Sequence, residues 1–222
     1  MAVVTVDFDG TLYQGNSFKV MFQAAQKEYS FKQWGIVGFG IVKAEVVGLL
    51  KGKNAFRLEF FKAFAKSFKG KTKAELDEFF EQLVKIGKED VHHDLVQEIR
   101  EHQHNGDTVI ILSGALHPFL NAFTKALELD VHVISTEIEF EQNGVCTGKL
   151  GSIINGDEKV KKVQEWVDRE DLQKSDTAEI WAYADSESDI PLFQFATYPV
   201  VVNPNQSMKE IAKKNNWPIF AT

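Results

Sequence analysis

The chain has 222 residues, of which 44% are hydrophobic and 26% are charged, so it is long enough to bury a sizeable core. Its formal net charge of −7 argues against a general nucleic-acid binder, and weakly against docking on anionic membranes. Cys146 is the single cysteine, which excludes an internal disulfide and favours a reducing compartment. Because the start of the chain does not resemble a signal peptide, we expect a cytoplasmic protein.

Five short apolar runs are typical of strands that are buried in a parallel sheet. They are Ala2–Val6, Thr108–Leu112, Val131–Ile134, Glu179–Ala184 and Pro199–Val202. Longer segments with helical spacing lie between them. Alternating strands and helices predict an α/β fold with a mostly parallel sheet.

Two segments interrupt this alternation. Residues 18–91 are rich in Phe, Lys and helix-forming residues and predict an inserted helical subdomain. Within it, the apolar stretch Gln33–Val42 is too short to span a bilayer. Residues 135–150 contain the pair Asn143-Gly144 between alternating segments, which predicts a β-hairpin. The histidines at 92, 93, 102 and 104 predict a solvated helix face rather than a metal site.

Polar side chains follow three of the predicted strands. Asp7 and Asp9 come directly after the first strand, Ser113 after the second, and Asp185 and Asp189 after the fourth. The carboxyl ends of parallel strands form the ligand crevice of an open α/β sheet, so we expect these groups to converge. Crowded carboxylates repel one another unless a hard cation lies among them, and an oxygen-only ligand set favours Mg²⁺.

The sequence resembles the haloacid dehalogenase superfamily. Asp7-Phe8-Asp9-Gly10-Thr11, the strand that ends at Ser113, Lys159 at the start of a helix, and Asp185–Asp189 are similar to its four motifs. The stretch from Ser135 to Lys159 resembles the phosphoserine phosphatase-like branch, subfamily IB, and the helical insertion resembles its C1 cap. The resemblance implies a Rossmann-like three-layer core of residues 1–17 and 92–222, with a helical cap of residues 18–91.

The resemblance also implies a Mg²⁺-dependent phosphomonoester hydrolase that forms a phosphoaspartate intermediate on a small phosphorylated metabolite. Asp7 would be the nucleophile, and Asp9 would protonate the leaving oxygen and then activate water. Phosphoryl oxygens would be bound by Ser113, Lys159 and the main-chain N–H groups of Phe8 and Gly114. The metal site would comprise the Asp7 carboxylate, the Asp9 main-chain carbonyl, the Asp185 carboxylate, and Asp189 behind them.

Two alternatives stay open at this point. In phosphoserine phosphatase itself, a Glu nine residues after the nucleophile helps to bind the substrate amine. Asn16 occupies that place here, and Arg57 is only a guess for the substrate-binding arginine. A catalytically inactive binding module is the other alternative, although the retention of all four motifs argues against it. The physiological substrate and the oligomeric state are not determined by the sequence.

Overall fold

The computed structural model describes residues 1–170 and 179–220, apart from the side chains of residues 53 and 54. Eight strands occur in this part of the chain: β1 (Val3–Val6), β2 (Thr108–Leu116), β3 (His132–Thr136), β4 (Ile138–Phe140), β5 (Cys146–Leu150), β6 (Ile180–Ala184), β7 (Tyr198–Val202) and β8 (Ile219–Phe220). Six of them form one sheet in the order β3-β2-β1-β6-β7-β8. Every pair in that sheet is parallel, which confirms the predicted α/β class.

Helices cover both faces of the sheet, because its strands are apolar on both sides. The helices are α1 (Ser17–Glu28), α2 (Phe31–Lys51), α3 (Lys53–Ser67), α4 (Lys73–Gly87), α5 (His93–His104), α6 (His117–Ala126), α7 (Asp157–Arg169), α8 (Ile190–Phe195) and α9 (Gln206–Asn215). Buried residues of α5 and α6 pack in one apolar cluster with β1 and β2. Residues of α7, α8 and α9 pack in a second cluster against the opposite face. The result is the three-layer architecture that the resemblance implies.

The strand register brings the polar strand ends together. In β1, Val6 pairs with Ile111 of β2 on one side and with Tyr183 of β6 on the other. The N–H of Asp7 donates to the carbonyl oxygen of Tyr183 at 2.9 Å, so the strand pairing continues to the first acidic residue. Asp7 and the residues after β6 therefore lie at the same edge of the sheet.

The segment between β1 and β2 consists of α1–α4 and the short 3₁₀ turn Lys88–Asp90. Capping boxes start two of its helices, at Ser30 for α2 and at Thr72 for α4. Its phenylalanines form a buried cluster with ring centroids 4.8–6.4 Å apart; the members are Phe60, Phe64, Phe68, Phe79 and Phe80. The segment therefore has an apolar core of its own, while the domain boundaries at residues 18 and 91 stay a prediction.

A β-hairpin joins this helical segment to the rest of the chain. β4 and β5 pair antiparallel, as the Asn-Gly signal predicts. The N–H of Cys146 donates to the carbonyl oxygen of Lys71 at 2.8 Å, and the N–H of Gly70 donates to the carbonyl oxygen of Cys146 at 2.9 Å. The helical segment is thus attached through these main-chain hydrogen bonds as well as through its two chain connections.

The expectation of a solvated histidine face is wrong for His92 and His102, which are buried. The Nδ1 atom of His102 lies 2.9 Å from Asp107 Oδ2, and its Nε2 atom lies 3.0 Å from the Tyr183 hydroxyl. These partners satisfy both ring nitrogens, which permits burial of the imidazole against the sheet. His102 follows the buried Leu95 and Ile99 at helical spacing, so it lies on the apolar face of α5. The neighbouring histidines suggest a polar face instead.

Candidate active site

The carboxylate of Asp7 is buried at the end of β1 and contacts a buried lysine. Asp7 is 8% exposed and Lys159, in the first turn of α7, is 2% exposed. The Lys159 ammonium lies 2.9 Å from Asp7 Oδ1. The two residues lie far apart in the sequence, and their contact is the central ion pair of the site.

Asp189 holds the same lysine from the other side. Its Oδ1 atom lies 2.5 Å from the Lys159 ammonium, and its Oδ2 atom accepts hydrogen bonds from the hydroxyls of Ser186 and Ser188. Burial alone would lower the pKa of Lys159, but Asp189 and Asp7 outweigh it and raise that pKa, so the lysine stays charged. Asp189 therefore positions Lys159 beside Asp7.

Three carboxylates form a cluster suited to a cation. Asp7, Asp185 and Asp189 each offer one oxygen, and these oxygens lie within 4.8 Å of one another. Burial, followed by the charges of Asp7 and Asp189, raises the pKa of Asp185 to about 7. Burial also raises the pKa of Asp7, although Lys159 opposes the rise. A divalent cation would relieve this repulsion, and the hard oxygen donors fit Mg²⁺.

Gly10 allows Asp185 to approach the turn after β1. Its backbone has φ of +83°, and a Cβ atom built there would lie only 2.4 Å from Asp185 Oδ2. Beside it, the hydroxyl of Thr11 lies 3.4 Å from Asp185 Oδ1. Gly10 and Thr11 of the first motif thus define the position of the Asp185 carboxylate, which belongs to the fourth motif.

The carboxylate of Asp9 lies outside this cluster and is held by the start of α1. The main-chain N–H of Ser17 donates to Asp9 Oδ1 at 2.8 Å, and the Ser17 hydroxyl donates to Oδ2 at 2.6 Å. Burial raises the pKa of Asp9, and the hydrogen bonds from Ser17 oppose the rise. The position of Ser17 could not be inferred from spacing, because it requires the chain to turn back between residues 10 and 16. The predicted metal contact of Asp9 through its carbonyl oxygen stays a prediction.

The remaining predicted site residues lie at the ends of β1 and β2. Ser113 is buried, and its hydroxyl oxygen accepts a hydrogen bond from the N–H of Ala115 at 3.3 Å. A hydrogen bond involving the main chain of Phe8 lowers the pKa of Asp7, as expected for an N–H group that faces this carboxylate. β2 continues to Leu116, so Ser113 and Gly114 lie within the strand rather than after it. Their contacts with phosphate stay predictions.

A small chamber lies between Asp9 and helix α3 of the helical segment. Its volume is about 20 Å³, room for about one water molecule. The lining residues are Asp9, Arg57, Phe61, Gly114, Ala115, Ile153 and Asn155. Arg57 extends from α3 so that its Nη2 atom lies 3.9 Å from Asp9 Oδ2, and its guanidinium lies 5.6 Å from the centre of the Phe18 ring. The sequence singled out Arg57 as a guess and Phe61 as a member of the Phe-rich cap, and it gave no signal for Ile153 or Asn155.

Comparison with known proteins finds similarity to hydrolases and phosphatases. Residues 4–194 match the sequence model of a family described as haloacid dehalogenase-like hydrolase. The chain is 25% identical over 224 residues to phosphoserine phosphatase SerB1 of Mycobacterium tuberculosis, an alignment that covers 98% of this chain and 70% of that protein. It is 24% identical over 123 residues to a histidinol-phosphatase of Neisseria meningitidis, with 55% of each protein covered. The chain therefore spans about half the length of the latter relative.

Solved structures show the same fold. A protein of unknown function from Bordetella pertussis superimposes with a TM-score of 0.79 at 22% identity, covering 99% of this chain and 97% of that one. A phospho-aspartyl intermediate analogue of phosphoserine phosphatase superimposes with a TM-score of 0.60 at 18% identity, covering 98% and 91%. These likenesses confirm the Rossmann-like architecture.

We predict that Asp185→Asn stabilises the metal-free protein at alkaline pH. Because the folded state raises the pKa of Asp185 from 3.8 to about 7, it holds this proton more tightly than the unfolded state, and stability falls as pH rises through that window. Removing the charge should raise the free energy of unfolding by about 1–3 kcal/mol near pH 8, about 3–8 °C in Tm. The gain should shrink toward about pH 5.

Thermal unfolding with a chelator tests this, and Asp77→Asn on the exposed face of α4 is the matched control. Mg²⁺ should raise the Tm of the wild type and of the control, but not that of Asp185→Asn. Equal stabilisation of all three proteins by Mg²⁺ would contradict the cation site.

A second prediction concerns Gly10→Ala, which places a methyl group against the Asp185 carboxylate. We expect it to remove stabilisation by Mg²⁺ and to lower the free energy of unfolding by about 1–3 kcal/mol. Gly106→Ala is the control, because Gly106 has a similar φ of +81° and no atom within 4 Å of the added Cβ. Loss of the Mg²⁺ effect in both variants would show that backbone strain, and not the clash, is responsible.

Proposed function

This chain belongs to the haloacid dehalogenase-like hydrolases, and from that premise we propose that it is a Mg²⁺-dependent phosphatase of small phosphomonoesters. The reaction would pass through a phosphoaspartate on Asp7. The single observation that supports this most directly is the buried contact of the Asp7 carboxylate with Lys159, beside two further carboxylates. A nucleophile that attacks a phosphate needs such nearby positive charge.

In the first step, an oxygen of Asp7 attacks phosphorus in line with the ester oxygen. The bond between phosphorus and that ester oxygen breaks, and Asp9 gives its proton to the departing alcohol. Burial raises the pKa of Asp9, and a raised pKa suits a carboxyl group that acts as a general acid. Lys159 neutralises charge on the phosphoryl oxygens as the bond to Asp7 forms.

In the second step, Asp9 accepts a proton from a water molecule, and the water oxygen attacks phosphorus. The bond between phosphorus and Asp7 breaks, which regenerates the carboxylate and releases inorganic phosphate. Both hydrogen bonds from Ser17 hold the Asp9 carboxylate in one orientation for the two proton transfers. Ser113 and the N–H groups of Phe8 and Gly114 are proposed to bind the phosphoryl oxygens.

Asp7, Asp185 and the main-chain carbonyl of Asp9 would hold Mg²⁺, with Asp189 acting through Lys159. When bound, the cation supplies charge neutralisation between phosphate and carboxylates that otherwise repel each other. The raised pKa of Asp185 is consistent with this role, because a group that repels its neighbours is the one that gains most from a cation.

The substrate would enter by movement of the helical cap. The chamber beside Asp9 holds about one water, so a leaving group requires α3, with Arg57 and Phe61, to move away from the sheet. Arg57 is then the first positive side chain that a substrate carboxylate would meet. Asn16 caps α1 by accepting from Phe18 N at 2.9 Å, so it is used in the structure of the cap. This favours a substrate other than phosphoserine. A cytoplasmic setting is a separate proposal, which rests on the reducing compartment that a single cysteine favours.

We predict that Asp7→Asn lowers turnover of p-nitrophenyl phosphate by about 10³-fold or more, because the amide does not form the phosphoaspartate. The wild type should need Mg²⁺, and Asp130→Asn, at a position exposed beyond α6, should turn over normally. Absence of p-nitrophenol release by the wild type would favour the inactive binding module instead. Release that is equal with and without a chelator would contradict the dependence on Mg²⁺.

A different pattern is expected for Asp9→Asn. p-Nitrophenol leaves without protonation, so the first step should persist while hydrolysis of the phosphoaspartate slows by about 10²–10⁴-fold. Rapid mixing should record a burst of about one equivalent followed by slow turnover. A uniform loss without a burst would contradict the assignment of Asp9 to water activation.

A further inference from the structure

Helix α2 exposes large apolar side chains to solvent along its whole length. Phe31 is 96% exposed, Phe39 78%, Leu49 86% and Leu50 78%. The helix has 21 residues and is long and apolar enough to cross a membrane by length and composition alone, although few of its residues are buried. Most exposed large apolar residues of the described chain lie on this one helix, and such a concentration marks an interaction surface.

These side chains occupy one side of the helix. At about 100° of rotation per residue, the exposed apolar positions fall within an arc of about 100°. The members of this apolar arc are Phe31, Phe39, Val42, Val46, Leu49 and Leu50. The buried residues Val37 and Ala44 lie on the opposite side, where α2 packs on α3. The arc therefore faces away from the protein and is not part of its core.

Positive charge lies along one edge and at both ends of the apolar arc, whereas the exposed Glu45 lies beside its other edge. Residues 18–72 contain eleven Lys and Arg against three Glu and no Asp, a formal charge of +8 in a chain whose total is −7. Lys32 and Lys43 follow the edge of the arc, and Lys27 and Lys51 are exposed at its two ends. The rest of the chain carries the acidic excess, so the overall charge conceals a strongly basic cap.

A groove beside the arc concentrates this charge. It lies between α2 and α3, has a volume of about 390 Å³ and is lined by Lys32, Lys43, Lys62 and Lys66. Glu59 is the single carboxylate in its lining, and it pairs with Lys43 at 2.6 Å and with Lys62 at 3.1 Å. No ion pair joins Lys32 or Lys66 to a carboxylate among residues 1–170 and 179–220. The groove therefore keeps a positive excess directly beside the apolar side chains.

We propose that the apolar arc of α2 docks on an anionic lipid surface, with the helix lying along the interface and the lysines among the headgroups. An exposed apolar stripe with lysines along one border and at its ends has the character of an interfacial helix. A second copy fits less well, because a twofold contact would place two basic faces against each other. Spanning the bilayer would remove Val37 and Ala44 from their packing on α3.

In this arrangement the inner side of the cap would face the active site, and its outer side would bind lipid. α3 presents Arg57 and Phe61 to Asp9 on its inner side, and lines the lysine groove with Lys62 and Lys66 on the side that meets α2. Docking does not require catalysis, so the inference is independent of the proposed function. Asp7→Asn should bind vesicles as the wild type does.

The test is flotation of the full chain with vesicles of phosphatidylcholine alone or with phosphatidylglycerol added. We expect binding to the anionic vesicles that weakens as salt is raised, and little binding to neutral ones. Phe39→Glu together with Leu49→Glu should reduce binding by about 100-fold, since both side chains leave the acyl region. Phe39→Ser with Leu49→Ser, which adds no charge, should also weaken binding by about tenfold or more.

The matched control is Gln97→Glu with Gln142→Glu, which adds the same charge at exposed positions outside the cap. It should bind vesicles nearly as well as the wild type. The three double variants should hydrolyse p-nitrophenyl phosphate as the wild type does in the absence of vesicles. Sedimentation velocity measures whether the wild type and each variant are monomers or dimers. Failure to bind anionic vesicles, equal binding by the Glu variants of α2, or a dimer that these variants dissociate would each overturn the proposal.

Discussion

The contact of the Lys159 ammonium with Asp7 and Asp189 organises the carboxyl edge of the sheet. It joins the end of β1, the first turn of α7 and the turn after β6, three pieces of chain that the sequence keeps far apart. Burying an ammonium and two carboxylates is costly unless they satisfy one another, so none of the three can move alone. The geometry around Asp7 is consequently fixed before any ligand binds.

Around that centre, two carboxylates of one short motif have separate surroundings. Asp7 faces Lys159 and the acidic cluster, whereas the carboxylate of Asp9 turns toward Ser17 and the cap. Different surroundings let two acids of the same type take different protonation states at one pH. The chain turns directly after Asp9, where Gly10 has a positive φ and its N–H donates to the carbonyl oxygen of Tyr13 at 2.8 Å.

The cap also has two distinct sides. Its inner helix, α3, closes over Asp9, while α2 carries exposed apolar residues and much of the positive charge outward. Main-chain hydrogen bonds from Gly70 and Cys146 attach the cap to the hairpin, so opening must either break them or carry the hairpin along. Motion of the cap and the orientation of its outer face are therefore mechanically linked to the hairpin.

The sequence by itself determined the α/β class, the parallel sheet, the hairpin and the convergence of Asp7, Asp185 and Asp189, because alternation of strands and helices forces strand ends to one edge. Local pattern does not determine which neighbours a side chain meets. Only the tertiary structure decided that Asp189 holds Lys159, that Ser17 orients Asp9, that His102 is buried and that the apolar arc of α2 faces outward. Each of these depends on contacts between distant segments, and periodicity alone cannot tell an apolar face that packs inside from one that stays exposed.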